Sequence, residues 1–272
     1  MPAVIYEPRG KAREYSPLAC NLYLSCTHNC KYCYAPHALQ RKAEGYFCKP
    51  TPRRDILDKL EADLKKQTID KQVLLSFIGD VYCETEDNSA VTREALKLFL
   101  KYKTPVAILT KGGSRCLKDL DLFLEFGKRI QIGATLTFID PEKSQMWESG
   151  AMSPLDRLKT LKTLRENGIT TFASFEPVIE PEESLSLIEA SLLADCVDIY
   201  KVGKLNNYKG LDKQVNWTDF LQKCVDLIRP AGKRLYIKQD LRAAAPSVVL
   251  QPEETQPDLH AAKGEVDISL TV

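Results

Sequence analysis

The chain has 272 residues, 44% hydrophobic and 28% charged, the balance of a globular protein able to bury a sizeable core. Its 38 Lys and Arg against 37 Asp and Glu leave a net charge of +1, which removes global attraction to nucleic acid or an anionic membrane as an organising force. No apolar run reaches the roughly 18 residues of a membrane span, and Met1–Glu7 lacks the basic head and apolar stretch of an export signal, so the expected location is cytoplasmic.

Residues 1–18 form a polar N-terminal extension with a turn at Glu7-Pro8-Arg9-Gly10. Apolar strands and amphipathic helices then alternate. Strands are predicted at Cys20–Leu24, Val73–Ile78, Val106–Thr110, Ile130–Thr137, Ile169–Phe175 and Val197–Val202, with a small seventh at Leu235–Lys238. Helices are predicted at Thr51–Gln67, Ser89–Tyr102, Leu117–Phe126, Pro154–Asn167, Glu182–Ala194 and Trp217–Arg229. The helix from Pro154 places Leu155, Leu158, Leu161 and Leu164 on one face and closes at Gly168. Six such units imply an α/β core over residues 19–242, a partial (β/α)6 TIM-type barrel of parallel strands, with its chemistry at the C-terminal strand ends. Residues 243–272 have three prolines and no clear period, and five acids against one lysine follow residue 250. They read as an irregular acidic tail that packs over the barrel or stays mobile.

Nine cysteines, an odd number in a chain without an export signal, argue against a disulfide framework. Six are scattered and suit buried apolar positions. The other three form a CxxxCxxC loop, Cys26, Cys30 and Cys33, directly after the first strand. Three thiolates on a short loop converge on a soft metal centre, either zinc or an iron–sulfur cluster. A structural zinc site wants a fourth protein ligand, for which only His28 lies in the loop, and no second cysteine knuckle follows. A [4Fe–4S] cluster on three cysteines leaves one iron open for chemistry.

The CxxxCxxC loop, with Tyr32 before its last cysteine, resembles the signature of radical S-adenosylmethionine enzymes. Ile5–Gly10, Asn21–Tyr23, Cys33–Pro36, Ile108–Lys111, Asp119–Leu122 and Glu148 followed by Arg157 resemble the spore photoproduct lyase-like branch. Asp80-Val81-Tyr82-Cys83-Glu84-Thr85-Glu86 resembles that branch's DPYQPxE segment, with Cys83 standing in place of Gln and Val81 in place of Pro. The likeness covers about residues 5–240.

The resemblance implies an enzyme, a lyase or modifying enzyme, with a [4Fe–4S] cluster on Cys26, Cys30 and Cys33. The open iron would be chelated by S-adenosylmethionine, and an electron from a flavodoxin- or ferredoxin-like donor would cleave it to methionine and a 5′-deoxyadenosyl radical. That radical would abstract a hydrogen atom from substrate. Ser76, Gly79 and Asp80 fall where the family binds the methionine ammonium. Thr110 and Lys111 are candidates for the methionine carboxylate or a substrate anion, Thr135 and Thr137 for the ribose, and Tyr32 or Tyr34 for the adenine. Glu148 and Arg157 can touch the adenosyl group or each other. Glu176-Pro177, Lys204 and Asn206 are candidates for the substrate cavity, and Cys83 for a thiol that gives or relays a hydrogen atom.

Residues 1–54 carry nine basic and three acidic side chains, among them Arg9, Lys11, Arg13, Arg41, Lys42, Lys49, Arg53 and Arg54, a set able to follow a phosphate backbone. A nucleic acid base or nucleotide is therefore the expected substrate. A small metabolite or peptide under the same chemistry is the alternative, and a non-catalytic zinc or iron–sulfur protein is the alternative from another class.

Overall fold

In the computed structural model, residues 3–83, 89–205 and 214–264 are described. Glu84, Thr85, Glu86 and Asn206 lie outside the described residues. In chain order the strands are β1 (Ile5–Tyr6), β2 (Leu18–Cys20), β3 (Val73–Leu75), β4 (Val106–Thr110), β5 (Ile130–Thr135), β6 (Thr170–Phe175), β7 (Ile199–Val202) and β8 (Arg234–Ile237). The helices are α1 (Ala35–Ala38), α2 (Ala43–Tyr46), α3 (Ile56–Lys66), α4 (Ser89–Lys101), α5 (Leu120–Phe126), α6 (Pro141–Trp147), α7 (Pro154–Glu166), α8 (Pro181–Leu193), α9 (Trp217–Ile228) and α10 (Gln239–Ala244). None is long and apolar enough to cross a membrane.

The strands form one sheet in the order β1 to β8. β1 runs antiparallel to β2, and every later pairing is parallel. The α/β partial barrel expected from the pattern is therefore present, extended by β8 and edged by β1. Side chains alternate across it. Val73, Leu75, Val106 and Ile108 face the helices, whereas Ala19, Leu74, Ala107, Phe172 and Ile199 fill the barrel.

The first strand lies earlier than expected, at Leu18–Cys20 and sharing only Cys20 with the run Cys20–Leu24, and β3 ends short of the expected Ile78. β2 stops at Cys20 and β3 at Leu75 because the side-chain amide oxygen of Asn21 replaces the ladder there. It accepts the backbone N–H groups of Phe77 and Ile78, each at 2.9 Å. The helix expected from Leu117 begins only at Leu120, after a 3-10 segment at Gly113–Asp119. α7 starts where a capping serine predicts, with Ser153 accepting the Asp156 N–H and Pro154 in the first turn. Its buried face differs from the expected one, for Leu155 is 60% exposed while Arg157 points inward beside Leu158, Leu161 and Leu164.

The N-terminal extension and the C-terminal segment both bind the barrel. The Glu14 carboxylate accepts the Tyr236 hydroxyl and the Gln239 N–H, each at 2.7 Å, so the extension reaches β8 and α10. The Lys201 ammonium donates to the Tyr15 carbonyl at 2.9 Å. Residues 245–264 run across the N-terminal strand ends. Gln131 donates to the His260 carbonyl, Gln72 accepts the Ala262 N–H, and Arg13 pairs with Asp258 at 2.6 Å. The cap closes one end of the barrel and leaves the other free.

Gly133 stands opposite Phe172 in the β5–β6 register, and a Cβ there would lie 2.4 Å from the Phe172 ring. We therefore predict that Gly133→Ala costs about 1–3 kcal/mol through overpacking. Urea denaturation checks this, with a lowered midpoint and an unchanged slope as the expected result.

Candidate active site

The open end of the barrel holds a cavity of about 430 Å³, within the size range of ligand pockets. Its walls come from the N-terminal extension, from the cysteine loop and the segment after it, and from the C-terminal ends of β3 to β6. Cys26, Cys30 and Cys33 face it, as do Tyr32 and Tyr34 from the same loop. Ser76, Gly79 and Asp80 follow β3, Thr110 and Lys111 end β4, Thr135 ends β5, and Glu176 and Pro177 follow β6.

Asp80 organises this end. One carboxylate oxygen accepts the Thr110 hydroxyl at 2.7 Å and the Tyr82 N–H at 2.8 Å. The other accepts the Lys111 N–H at 2.6 Å and His28 Nε2–H at 2.9 Å. Burial alone would raise its pKa, but the His28 charge and these donors hold the carboxyl down to about 2. His28 has a second acceptor, the Gly150 carbonyl, 3.1 Å from Nδ1. Acceptors at both ring nitrogens require a proton on each. Burial lowers the His28 pKa, yet Asp80 outweighs it and the net direction is upward. With both nitrogens engaged, His28 is no metal ligand.

The three thiols are protonated in the metal-free protein, burial pushing Cys30 up to about 12 and raising Cys33 as well. Metal uptake at this loop releases those protons. Among the described residues no group of three His, Cys, Asp or Glu side chains gathers tightly enough to hold a single ion. Three thiols facing one cavity match the donor set of a four-iron cluster with one open iron. Of the six scattered cysteines, Cys20, Cys83, Cys116, Cys196 and Cys224 are buried and Cys48 is exposed.

Gly79 permits close contact with the loop. Its φ is +75°, and a Cβ would meet the Ser25 carbonyl oxygen at 2.5 Å. The Ser76 hydroxyl donates to the Gly79 carbonyl, and the Gly79 N–H donates to the Tyr46 hydroxyl at 3.1 Å. The Lys111 ammonium lies 5.4 Å from the Tyr32 ring centroid. Burial lowers its pKa, but Cys30 and Glu148 outweigh that and hold it above the usual lysine value. It makes no hydrogen bond among the described residues.

Glu148 and Arg157 do not line the cavity. They meet behind it at 2.5 Å, both buried. Burial would raise the Glu148 carboxyl, but Arg157 and Lys111 hold it below the usual range. Glu148 also accepts the Tyr32 and Thr137 hydroxyls, while Arg157 donates to the carbonyls of Thr135 and Met152. Glu148 forms a backbone bridge with Cys30, and the Lys31 N–H donates to the Trp147 carbonyl at 2.9 Å. The pair therefore clamps the cysteine loop onto the segment after α6.

Tyr34 lies at the rim, its hydroxyl donating to the Phe77 carbonyl at 2.9 Å. Lys204 sits over the Trp217 ring, not on the cavity wall. Cys83 is also off the wall, packed beneath the loop against Cys26. No sequence motif marks Tyr15, which lines the cavity and donates to Glu176 at 3.0 Å. It lies in the N-terminal extension, brought across the barrel by contacts that no local pattern encodes.

Breaking the Asp80–His28 pair leaves a buried imidazolium without a counter-charge. Asp80→Asn is predicted to lose about 3–5 kcal/mol of stability. Anaerobic urea denaturation of the metal-free protein is the check, and an unchanged midpoint would contradict the role given to this carboxylate.

The sequence model of the radical S-adenosylmethionine superfamily matches residues 20–192. An uncharacterized protein of Methanocaldococcus jannaschii is 31% identical over 159 residues, 58% of this chain and 59% of that protein. An uncharacterized protein of Mycobacterium tuberculosis is 24% identical over 166 residues, 58% of this chain and 48% of its own length. The chain thus covers less than two thirds of these relatives. Among solved structures, SuiB of Streptococcus suis bound to S-adenosylmethionine superposes with a TM-score of 0.62 at 14% identity, over 86% of this chain and 53% of SuiB. Spore photoproduct lyase with bound S-adenosylmethionine and dinucleoside spore photoproduct gives a TM-score of 0.56 at 12% identity, over 87% of this chain and 63% of the lyase. At such identities the likeness is one of fold. With the family's model spanning well over half the chain and the three cysteines facing the cavity, this protein belongs to the radical S-adenosylmethionine superfamily, whose cofactors are a [4Fe–4S] cluster and S-adenosylmethionine.

Proposed function

We propose that the protein reductively cleaves S-adenosylmethionine and uses the product to abstract a hydrogen atom from a nucleic acid base or nucleotide. The observation that carries the radical chemistry is the convergence of Cys26, Cys30 and Cys33 on a cavity at the C-terminal strand ends. When bound, the cluster and S-adenosylmethionine supply a 5′-deoxyadenosyl radical.

The chain's own residues bind and orient in this reading. Cys26, Cys30 and Cys33 would hold the cluster as thiolates. Lys111 offers a buried ammonium to the methionine carboxylate. Ser76 and Gly79 border the space after β3 that would take the methionine ammonium, and Asp80 acts by holding Lys111 and the loop in place. Thr135 and Tyr32 border the space for the adenosyl group. Glu148 and Arg157 support that wall from behind. Tyr15, Glu176 and the aromatic side chains of Tyr34, Phe47 and Phe77 border the remaining space, where they exclude water.

Support for a phosphate-bearing substrate comes from Arg9 and Lys11, which line the same cavity. Lys11 is partly neutralised by Asp240 at 2.9 Å, whereas Arg9 is exposed. Aromatic rings beside cationic side chains suit a base and its phosphate. The electron donor in this reading is a low-potential flavodoxin- or ferredoxin-like protein. The location is the cytoplasm, where nine free cysteines stay reduced.

Anaerobic reconstitution with iron and sulfide is expected to give a brown protein absorbing near ~400 nm. Dithionite and S-adenosylmethionine should then yield 5′-deoxyadenosine, and Cys30→Ala should abolish both the cluster and the cleavage. Full cleavage by that variant would remove the site assignment.

For the substrate, binding of a single-stranded oligonucleotide should weaken with salt, and Arg9→Ala should reduce the slope of log K against log salt by about one. Salt-independent binding, or tighter binding of a peptide, would displace the nucleotide reading.

A further inference from the structure

The cysteine loop has two faces. Cys26, His28 and Cys30 line the cavity, whereas the residues between them, Thr27 and Asn29, line a groove on the outside of the barrel. A single thickness of backbone therefore divides the space behind the thiols from the surface. The groove's walls are Ala43 and Glu44 of α2 on one side and Ser149 and Gly150 on the other. Asn29, at a φ of +51°, donates its side-chain amide to the Ser149 hydroxyl at 3.2 Å, and the Gly150 N–H donates to the His28 carbonyl at 2.9 Å. Phe47 borders both the groove and the cavity.

Charge is spread unevenly around this groove. Arg41 and Lys42 immediately precede Ala43, and both are exposed. Lys31 is exposed as well, its ammonium 5.9 Å from the Trp147 ring centroid. Arg115 reaches the Gly150 carbonyl at 3.4 Å. Glu44 is the one acid among the described residues that line the groove. A chain of net charge +1 thus sets four bases against one acid at the surface directly behind its thiols.

Cleavage needs an electron while the cavity is filled by S-adenosylmethionine and substrate, so a carrier protein entering from the mouth would compete with them. The groove avoids that conflict. Resting on the radical reading above, we infer that it docks an acidic flavodoxin, which reduces the cluster through the outer face of the cysteine loop. The concave shape favours this carrier over a ferredoxin. A flavin held in the crevice of an open sheet presents a planar edge that fits a groove bordered by an aromatic ring, whereas a ferredoxin's cluster lies beneath its own loop. The anionic flavin hydroquinone gives one electron to the oxidised cluster and becomes the neutral semiquinone, with no proton moved and no bond formed. A small polar patch ringed by bases suits such encounters, which are steered by charge and bury little area.

The test uses holoprotein reconstituted anaerobically, with iron and sulfide measured on every sample and no substrate present. S-adenosylmethionine cleavage is driven in separate arms by flavodoxin hydroquinone, by a reduced ferredoxin and by dithionite, which needs no docking surface. Flavodoxin affinity is measured by calorimetry on the same proteins. Lys31→Glu combined with Lys42→Glu reverses the charge, and Ala43→Trp fills the groove without changing it. Flavodoxin affinity is expected to weaken about tenfold in both variants at low salt, with KM for flavodoxin raised to match and dithionite-driven cleavage unchanged. High salt should close the gap to wild type for the charge variant only. If a variant takes up less cluster, calorimetry decides. Wild-type flavodoxin affinity in either variant overturns the inference, and weakened oligonucleotide binding in its place would give the basic rim to nucleic acid. Cleavage driven by ferredoxin but not by flavodoxin overturns it too. A full cluster with which dithionite gives no cleavage overturns the radical reading and this inference with it, whereas dithionite-driven cleavage beside a failing flavodoxin overturns this inference alone.

Discussion

The cavity depends on one buried carboxylate. Asp80 follows β3, yet its four donors come from the cysteine loop, from its own turn and from the end of β4. A carboxylate taken out of water is stable only when its lone pairs are met and its charge is balanced. Here the donors saturate both oxygens and the doubly protonated His28 supplies the charge. The consequence is geometric. The loop that carries the three thiols cannot move relative to Lys111 without undoing the knot, so thiols and ammonium are presented to the same space as a fixed pair.

A second buried pair repeats the device from the other side. Glu148 and Arg157 are not among the residues lining the cavity, but Glu148 holds the Tyr32 hydroxyl and bridges Cys30, while Arg157 holds the last carbonyl of β5. Buried ion pairs are weak evidence of added stability, because desolvation offsets their attraction. Their effect here is to fix register, since each partner reaches a different element. The cysteine loop is consequently held by β3 through Asp80, by the segment after α6 through Gly150, and by α7 through Arg157. Gly150 allows that contact, as a Cβ there would lie 2.2 Å from the Thr27 carbonyl oxygen.

Local spacing made part of this legible in the sequence. Three cysteines within eight residues announce a metal loop, and an apolar run such as Val106–Thr110 becomes β4 without change. What spacing cannot convey is which side of a helix meets a charged partner. Leu155 belongs to the apolar period of α7 but points to solvent, because Arg157 takes the inward position to satisfy Glu148. The run after Leu75 reads as strand, but Asn21 captures its N–H groups. Tyr15 and Glu14 reach the barrel through partners some 160 to 220 residues away in sequence, at Glu176 and Tyr236. Such pairings belong to tertiary structure, and single-chain periodicity contains no trace of them.

The turn after β3 joins these threads. Gly79, Asp80 and Cys83 each touch the cysteine loop, at Ser25, at His28 and in the apolar cluster with Cys26 respectively. Three contacts of different chemistry, a bare backbone, an ion pair and a thiol, converge on four residues at the start of the metal loop. A turn that only closed a strand would need none of them.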